Sequence, residues 1–85
     1  MNVTVYGKTG CKRCKAALDK LALMEIRYSY VDLSLSTCFR ENPKAVDAMV
    51  ESVMRKETFP VFLIDERWYD YPEAMAELKR LGLGL

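Results

Sequence analysis

Histidine is absent from this chain of 85 residues. That removes Cys/His nucleophile pairs, a histidine general base and mixed Cys/His zinc sites from the available chemistry. Cysteine is scarce as well. Three residues, an odd number, argue against the disulfide framework of a small secreted domain. Charge of one sign is missing too. A net +1 gives no reason to expect nucleic acid as a partner. No apolar run approaches the roughly 20 residues that cross a bilayer, so no membrane association is expected. The N-terminus, Met1-Asn2-Val3-Thr4-Val5-Tyr6, lacks the basic start of a secretory signal and reads as a strand. The expected location is the cytoplasm.

What is present describes one small domain over residues 1–85, with 51% hydrophobic and 29% charged residues and no repeat, linker or low-complexity tract. Asn2 to Tyr6 is β-branched and alternating, a strand. From Lys12 to about Met24, Cys14, Ala17, Leu18 and Leu21 fall on one face of an amphipathic helix. Ile26 to Val31 reads as a second strand, with Tyr28 and Tyr30 on one face. After a turn-rich stretch from Asp32 to Glu41, Asn42-Pro43 reads as an N-cap and first helical residue. The helix it opens is expected to bury Val46, Met49, Val50 and Val53.

Pro60 to Ile64 is a continuous apolar run suited to a central strand. Asp65-Glu66-Arg67 reads as a turn and Trp68-Tyr69 as an edge strand. Asp70 with Glu73 forms a capping box for a last helix with Met75, Leu78 and Leu81 inward and Gly82 as its cap. The order is βαβαββα. The first two strands must be parallel and the last two an antiparallel hairpin, giving an α/β chain with a four-stranded mixed sheet flanked by three helices.

The motif that carries chemistry is Cys11-Lys12-Arg13-Cys14, between the first strand and the first helix. Unpaired N–H groups at a helix start stabilise an anion, so Cys11 is expected to ionise more readily than a free thiol. Lys8, Lys12, Arg13 and Lys15 add positive charge around it. A structural metal site is the competing reading, but with one further cysteine and no histidine the chain cannot fill a four-ligand Cys/His shell.

Tyr-x-Lys-x-x-Cys-x-x-Cys from Tyr6 to Cys14, with Thr58-Phe59-Pro60 opening the third strand, resembles the glutaredoxin branch of the thioredoxin superfamily. The resemblance implies a thioredoxin-like fold and a dithiol oxidoreductase that reduces protein or glutathione mixed disulfides. Cys11 would be the nucleophile and Cys14 the resolving thiol. It implies that Pro60 is a cis-proline facing the pair, that the Phe59 backbone pairs with an extended substrate, and that Thr58 and Lys8 help hold glutathione. Lys12 and Arg13 replace the Pro-Tyr of many relatives. Asp70-Tyr71 stands where many carry the Gly-Gly turn that holds the γ-glutamyl end of glutathione, which weakens the link to that ligand, while glutathione stays the co-substrate the resemblance implies.

The Trp68-x-x-Tyr71-Pro72 stretch is also similar to the glutaredoxin-like hydrogen donors of ribonucleotide reductase, which draw electrons from thioredoxin reductase. The electron source therefore stays open between glutathione and that reductase. The expected partners are disulfide-containing proteins, met by a monomer with no bound cofactor and no metal. An iron–sulfur carrier, with Cys11 thiolates from two chains holding the cluster, is the reading from a different class. Tyr6 reads equally as sheet packing or substrate contact, and Trp68 as a packed edge aromatic. Cys38 follows the second strand, so its loop should emerge at the same end of the sheet as Cys11. It is either a buried small side chain or an accessory thiol.

Overall fold

The computed structural model describes residues 2–35, 38–56 and 59–81, and the side chains of Cys38 and Phe39 lie outside that description. Its elements run β1 (Val3–Gly7), α1 (Lys12–Leu23), β2 (Ser29–Asp32), α2 (Cys38–Glu41), α3 (Ala45–Met54), β3 (Val61–Ile64), β4 (Arg67–Tyr69) and α4 (Tyr71–Arg80). The strands form one mixed sheet in the order β2-β1-β3-β4. β1 pairs with β2 in parallel, while β1–β3 and β3–β4 are antiparallel. The expected order holds for three long helices and four strands, and α2 is an added four-residue turn of helix.

The alternation of β1 splits the core into two layers. Val3 and Val5 point to one side and join Ala17, Leu21, Phe62, Ile64, Ala74 and Leu78 beneath α1 and α4. Tyr6 points to the other and joins Val31, Val61 and Leu63 under Ala45 and Ala48 of α3. All four residues of β3 are buried, as its unbroken apolar run requires.

Helix α1 ends without glycine. Ile26 N–H donates to the Leu21 carbonyl and Glu25 N–H to that of Ala22, both at 3.0 Å. Glu25 takes a left-handed φ of 57° to make this possible, the geometry of a Schellman cap. Ile26 and Leu21 then share the same apolar cluster, the contact that accompanies such a cap. Ile26 is thus a helix-closing residue and β2 starts only at Ser29, a correction to the strand expected from Ile26. Tyr28 precedes the strand.

Helix α3 departs further from expectation. It begins at Ala45 with Lys44 at its N-cap and no side-chain capping bond, while Asn42 contributes only its carbonyl, which accepts from Ala45 N–H at 3.0 Å. It buries Ala45, Ala48 and Ser52. Val46, Met49, Val50 and Val53, the expected core residues, are exposed. Small side chains let the helix lie close on Tyr6, Val61 and Leu63, and the larger apolar series turns outward. The last helix has the expected Asp70–Glu73 capping box and buries Ala74 and Leu78. Its Leu81 is exposed and serves as the C-cap, and Gly82 lies outside the described residues.

The β3–β4 hairpin turns on Asp65 and Glu66, at φ 45° and 72°. Two successive left-handed residues match the twist of the strands they join. Asp65 also fastens the start of β1, accepting from Asn2 N–H at 2.8 Å and donating its own N–H to the Asn2 carbonyl at 3.0 Å.

Candidate active site

Cys11 is the N-cap of α1. Its backbone is extended (φ −82°, ψ 110°) and its sulfur accepts a hydrogen bond from Cys14 N–H at 3.1 Å. A helix start leaves such N–H groups without partners, and the side chain one position before the helix is placed to meet the third of them. The spacing Cys-x-x-Cys is that capping spacing. It delivers the second cysteine to the first turn of the same helix, facing inward. Cys14 is 2% exposed and Cys11 half-buried, and both are free thiols.

Burial pushes the Cys14 thiol up to about 12, helped by its hydrogen bond to Cys11 and by the Cys11 charge. The Lys8 backbone N–H and ammonium act in the opposite direction. Cys14 is therefore a protonated, sheltered sulfur at neutral pH.

The loop ahead of Cys11 is anchored to the end of β2. Thr9 Oγ1 donates to Asp32 Oδ2 at 2.6 Å, Thr9 N–H donates to Ser34 Oγ at 3.0 Å, and Ser34 N–H donates to Asp32 Oδ1 at 2.8 Å. These bonds hold the Asp32 carboxyl below its usual range, the Thr9 hydroxyl being the largest cause. Gly10, at φ 78°, supplies the left-handed step that sets Cys11 at the helix start. The loops after β1 and β2 thus emerge together, as the parallel pairing requires. Cys38 opens α2 in that second connection, and its side chain lies outside the described residues.

Lys8, Thr9, Gly10, Cys11, Lys12, Cys14, Lys15, Leu18, Tyr30 and Asp32 line an open cleft of about 410 Å³. Three of the expected cations are in it, and Arg13 is exposed on the helix away from that lining. The Phe59–Pro60 peptide bond is cis, and Pro60 is buried. Lys8 Nζ sits 5.4 Å from the centre of the Phe59 ring, which joins the Cys11 loop to the start of β3. Thr58 lies outside the described residues.

Tyr6, Asp70 and Tyr71 each make packing or capping contacts. The Tyr6 ring is 4% exposed and packs 5.5 Å from Trp68, on the sheet face under α3. Burial, then the charge of Asp47, raises its phenol above the usual range. Asp70 caps α4, accepting from Glu73 N–H at 2.9 Å, while Glu73 Oε1 accepts from Asp70 N–H at 3.1 Å and from Arg55 at 2.5 Å. Tyr71 packs edge-on against Phe62, 6.3 Å between rings. None of the three lines the Cys11 cleft.

Sequence reasoning passed over Gly7, Thr9, Tyr30 and Asp32. A Cβ at Gly7 would stand 2.9 Å from Cys14 Sγ and 2.9 Å from Tyr30 Oη. The signal that could have found them is parallel pairing, which sets Gly7 opposite Asp32. Among the described residues, no three Cys, Asp or Glu side chains gather as a metal-binding group, and no helix is long and apolar enough to cross a membrane.

A sheltered thiol and a half-exposed one at a helix start, carried on this sheet, define a dithiol site on a thioredoxin-like fold. The glutaredoxin family model matches residues 3–69, and the chain belongs to that family. Its fold is similar to the crystal structure of a glutaredoxin from Archaeoglobus fulgidus, with a TM-score of 0.64 and 24% identity over 93% of this chain and 86% of that one. No curated protein sequence matches the chain. Family and fold together support thiol–disulfide oxidoreductase chemistry in general.

Proposed function

We propose that this protein is a dithiol glutaredoxin-like oxidoreductase that reduces disulfides in proteins and mixed disulfides of glutathione. The observation that carries the reading is the asymmetry of the two sulfurs, Cys11 half-buried and Cys14 buried, both lining the cleft. The Cys11 thiolate attacks a substrate disulfide and expels one sulfur as a thiolate. Cys14 then attacks Cys11 Sγ, releasing the second sulfur and leaving a Cys11–Cys14 bridge. Two electrons pass from the protein to the substrate.

Charge and burial favour this order of events. Two of the causes that hold the Cys14 proton are its hydrogen bond to Cys11 and the charge there. Both are lost once Cys11 is bonded to substrate, which loosens the hold on the Cys14 proton while burial, the largest cause, remains.

Glutathione is the electron donor in this reading. Lys8, Lys12 and Lys15 at the cleft suit its carboxylates, and Glu73 is already neutralised by Arg55. Asp70 and Tyr71 are occupied as cap and packing residue rather than projecting into the cleft. The test is NADPH oxidation during reduction of a peptide disulfide, with either glutathione and its reductase or thioredoxin reductase supplied. Turnover with the first supports glutathione as donor. Turnover only with the second moves the protein to the class reduced by thioredoxin reductase.

A further inference from the structure

Tyr30 stands beside the buried sulfur, and the exchange reaction described above gives it no task. It lies on β2, opposite Val5 of β1 in the parallel register, and its ring forms part of the cleft wall. The place where a Cβ on Gly7 would sit is 2.9 Å from Tyr30 Oη, 3.1 Å from Tyr30 Cε1 and 2.9 Å from Cys14 Sγ. The phenol oxygen and the sulfur therefore flank one spot that only a glycine leaves open. A larger residue at position 7 would have to displace the sulfur, the tyrosine or both.

The chemistry of the two groups is complementary. Burial, followed by the negative charges of Asp32, Cys14 and Cys11, raises the Tyr30 phenol above its usual range, so it keeps its proton and can donate. The Lys8 backbone N–H acts to lower the Cys14 thiol, and a sulfur losing its proton in this buried place gains from a further donor. Preorganised donors aimed at an atom that becomes anionic are how enzyme sites stabilise developing charge.

We infer that Tyr30 is a positioning residue for the resolving step, its O–H donating to Cys14 Sγ as that sulfur becomes a thiolate. The inference rests on the dithiol reading above. In the step itself the Cys14 thiol gives its proton to solvent. Its sulfur bonds to Cys11 Sγ, the bond from Cys11 to the substrate sulfur breaks, and the substrate leaves as a thiolate that takes up a proton. The cysteine pair is oxidised and the substrate disulfide reduced. Tyr30 keeps its proton throughout. The charged and titratable groups facing this pair are Lys8 and Cys11 from the β1–α1 connection and Asp32 from β2, with Lys12 and Lys15 of α1 also lining the cleft.

Stopped-flow reaction with 5,5′-dithiobis(2-nitrobenzoate) separates the two steps, in chains carrying Cys38→Ser so that only Cys11 and Cys14 report. The first thiolate released marks attack by Cys11, and the second marks attack by Cys14. Tyr30→Phe keeps the ring and removes the donor. It is expected to leave the first phase within about twofold and to slow the second roughly tenfold, the scale of one hydrogen bond to a charged group. The pH profile of the second phase should move to higher pH. Gly7→Ala, which intrudes between sulfur and phenol, should slow the second phase in the same selective way.

An unchanged second phase with an unchanged pH profile in Tyr30→Phe overturns the inference, as does equal slowing of both phases. A Cys38→Ser parent that releases no second thiolate overturns the resolving role of Cys14, and the inference with it.

Discussion

Cys11 performs two tasks with one atom: its sulfur caps α1 and faces the cleft. The capping bond from Cys14 N–H ties the geometry of the motif to the start of the helix, so chemistry and helix initiation share a residue. Cys14 is the opposite case, its thiol pushed up to about 12 chiefly by burial. In the native reduced protein at pH 8, iodoacetamide should therefore modify Cys11 and leave Cys14 unmodified. Comparable rates at both would contradict the asymmetry. The folded chain holds the Cys14 proton more tightly than the unfolded chain, whose thiol titrates near 9.0. This group's stability is present in full below that value and lost as pH rises through about 12. The advantage of the reduced protein over Cys14→Ser in urea unfolding should shrink accordingly above pH 9.

Asp32 has the reverse sign. Its carboxyl is held low by Thr9 and Ser34, so its contribution is present above the ordinary carboxylate range and lost as pH falls through its depressed value. Asp32→Asn should be less stable than the parent at pH 7 and equal to it near pH 2. A gap that persists undiminished in acid would show that the carboxylate charge is not what the latch uses.

At the scale of elements, the sequence was most legible where one pattern admitted one reading. The series Cys14, Ala17, Leu18, Leu21 leaves α1 a single apolar face, and three of those four side chains are buried. In α3 two series compete at helical spacing. The larger one, Val46, Met49, Val50 and Val53, outranks Ala45, Ala48 and Ser52 on hydrophobicity, yet the smaller one is buried. Close approach to the sheet decided it, and that is a property of the neighbouring layer rather than of the helix. Val53→Lys should accordingly change stability by no more than about 0.5 kcal/mol. A loss of about 2 kcal/mol or more in chemical denaturation would mean that this face is covered. The end of α1 was illegible for a different reason, because Glu25 takes the left-handed position that a glycine would advertise. Glu25→Gly should raise unfolding stability by about 1 kcal/mol, and a decrease would contradict the cap.

For the whole molecule, β1 is the element that joins core and site. Its alternation assigns Val3 and Val5 to one layer and Tyr6 to the other, and its last residue, Gly7, abuts Cys14 and Tyr30. Fold and motif were readable together because the Cys-x-x-Cys sits at a strand-to-helix junction. The cleft walls were not, since Tyr30 and Asp32 arrive through parallel pairing across more than 20 residues of sequence. Phe62, fully buried between the sheet and Tyr71, is part of the support for this arrangement. Phe62→Ala should cost about 3–5 kcal/mol.

The central claim is the division of labour between the two cysteines, and intact mass analysis after reaction with a peptide disulfide tests it most directly. Cys14→Ser should accumulate one stable mixed disulfide, mapped to Cys11, while the wild type releases both peptide thiols and acquires a Cys11–Cys14 bridge. No adduct on Cys14→Ser, or continued disulfide reduction by Cys11→Ser, would contradict the account.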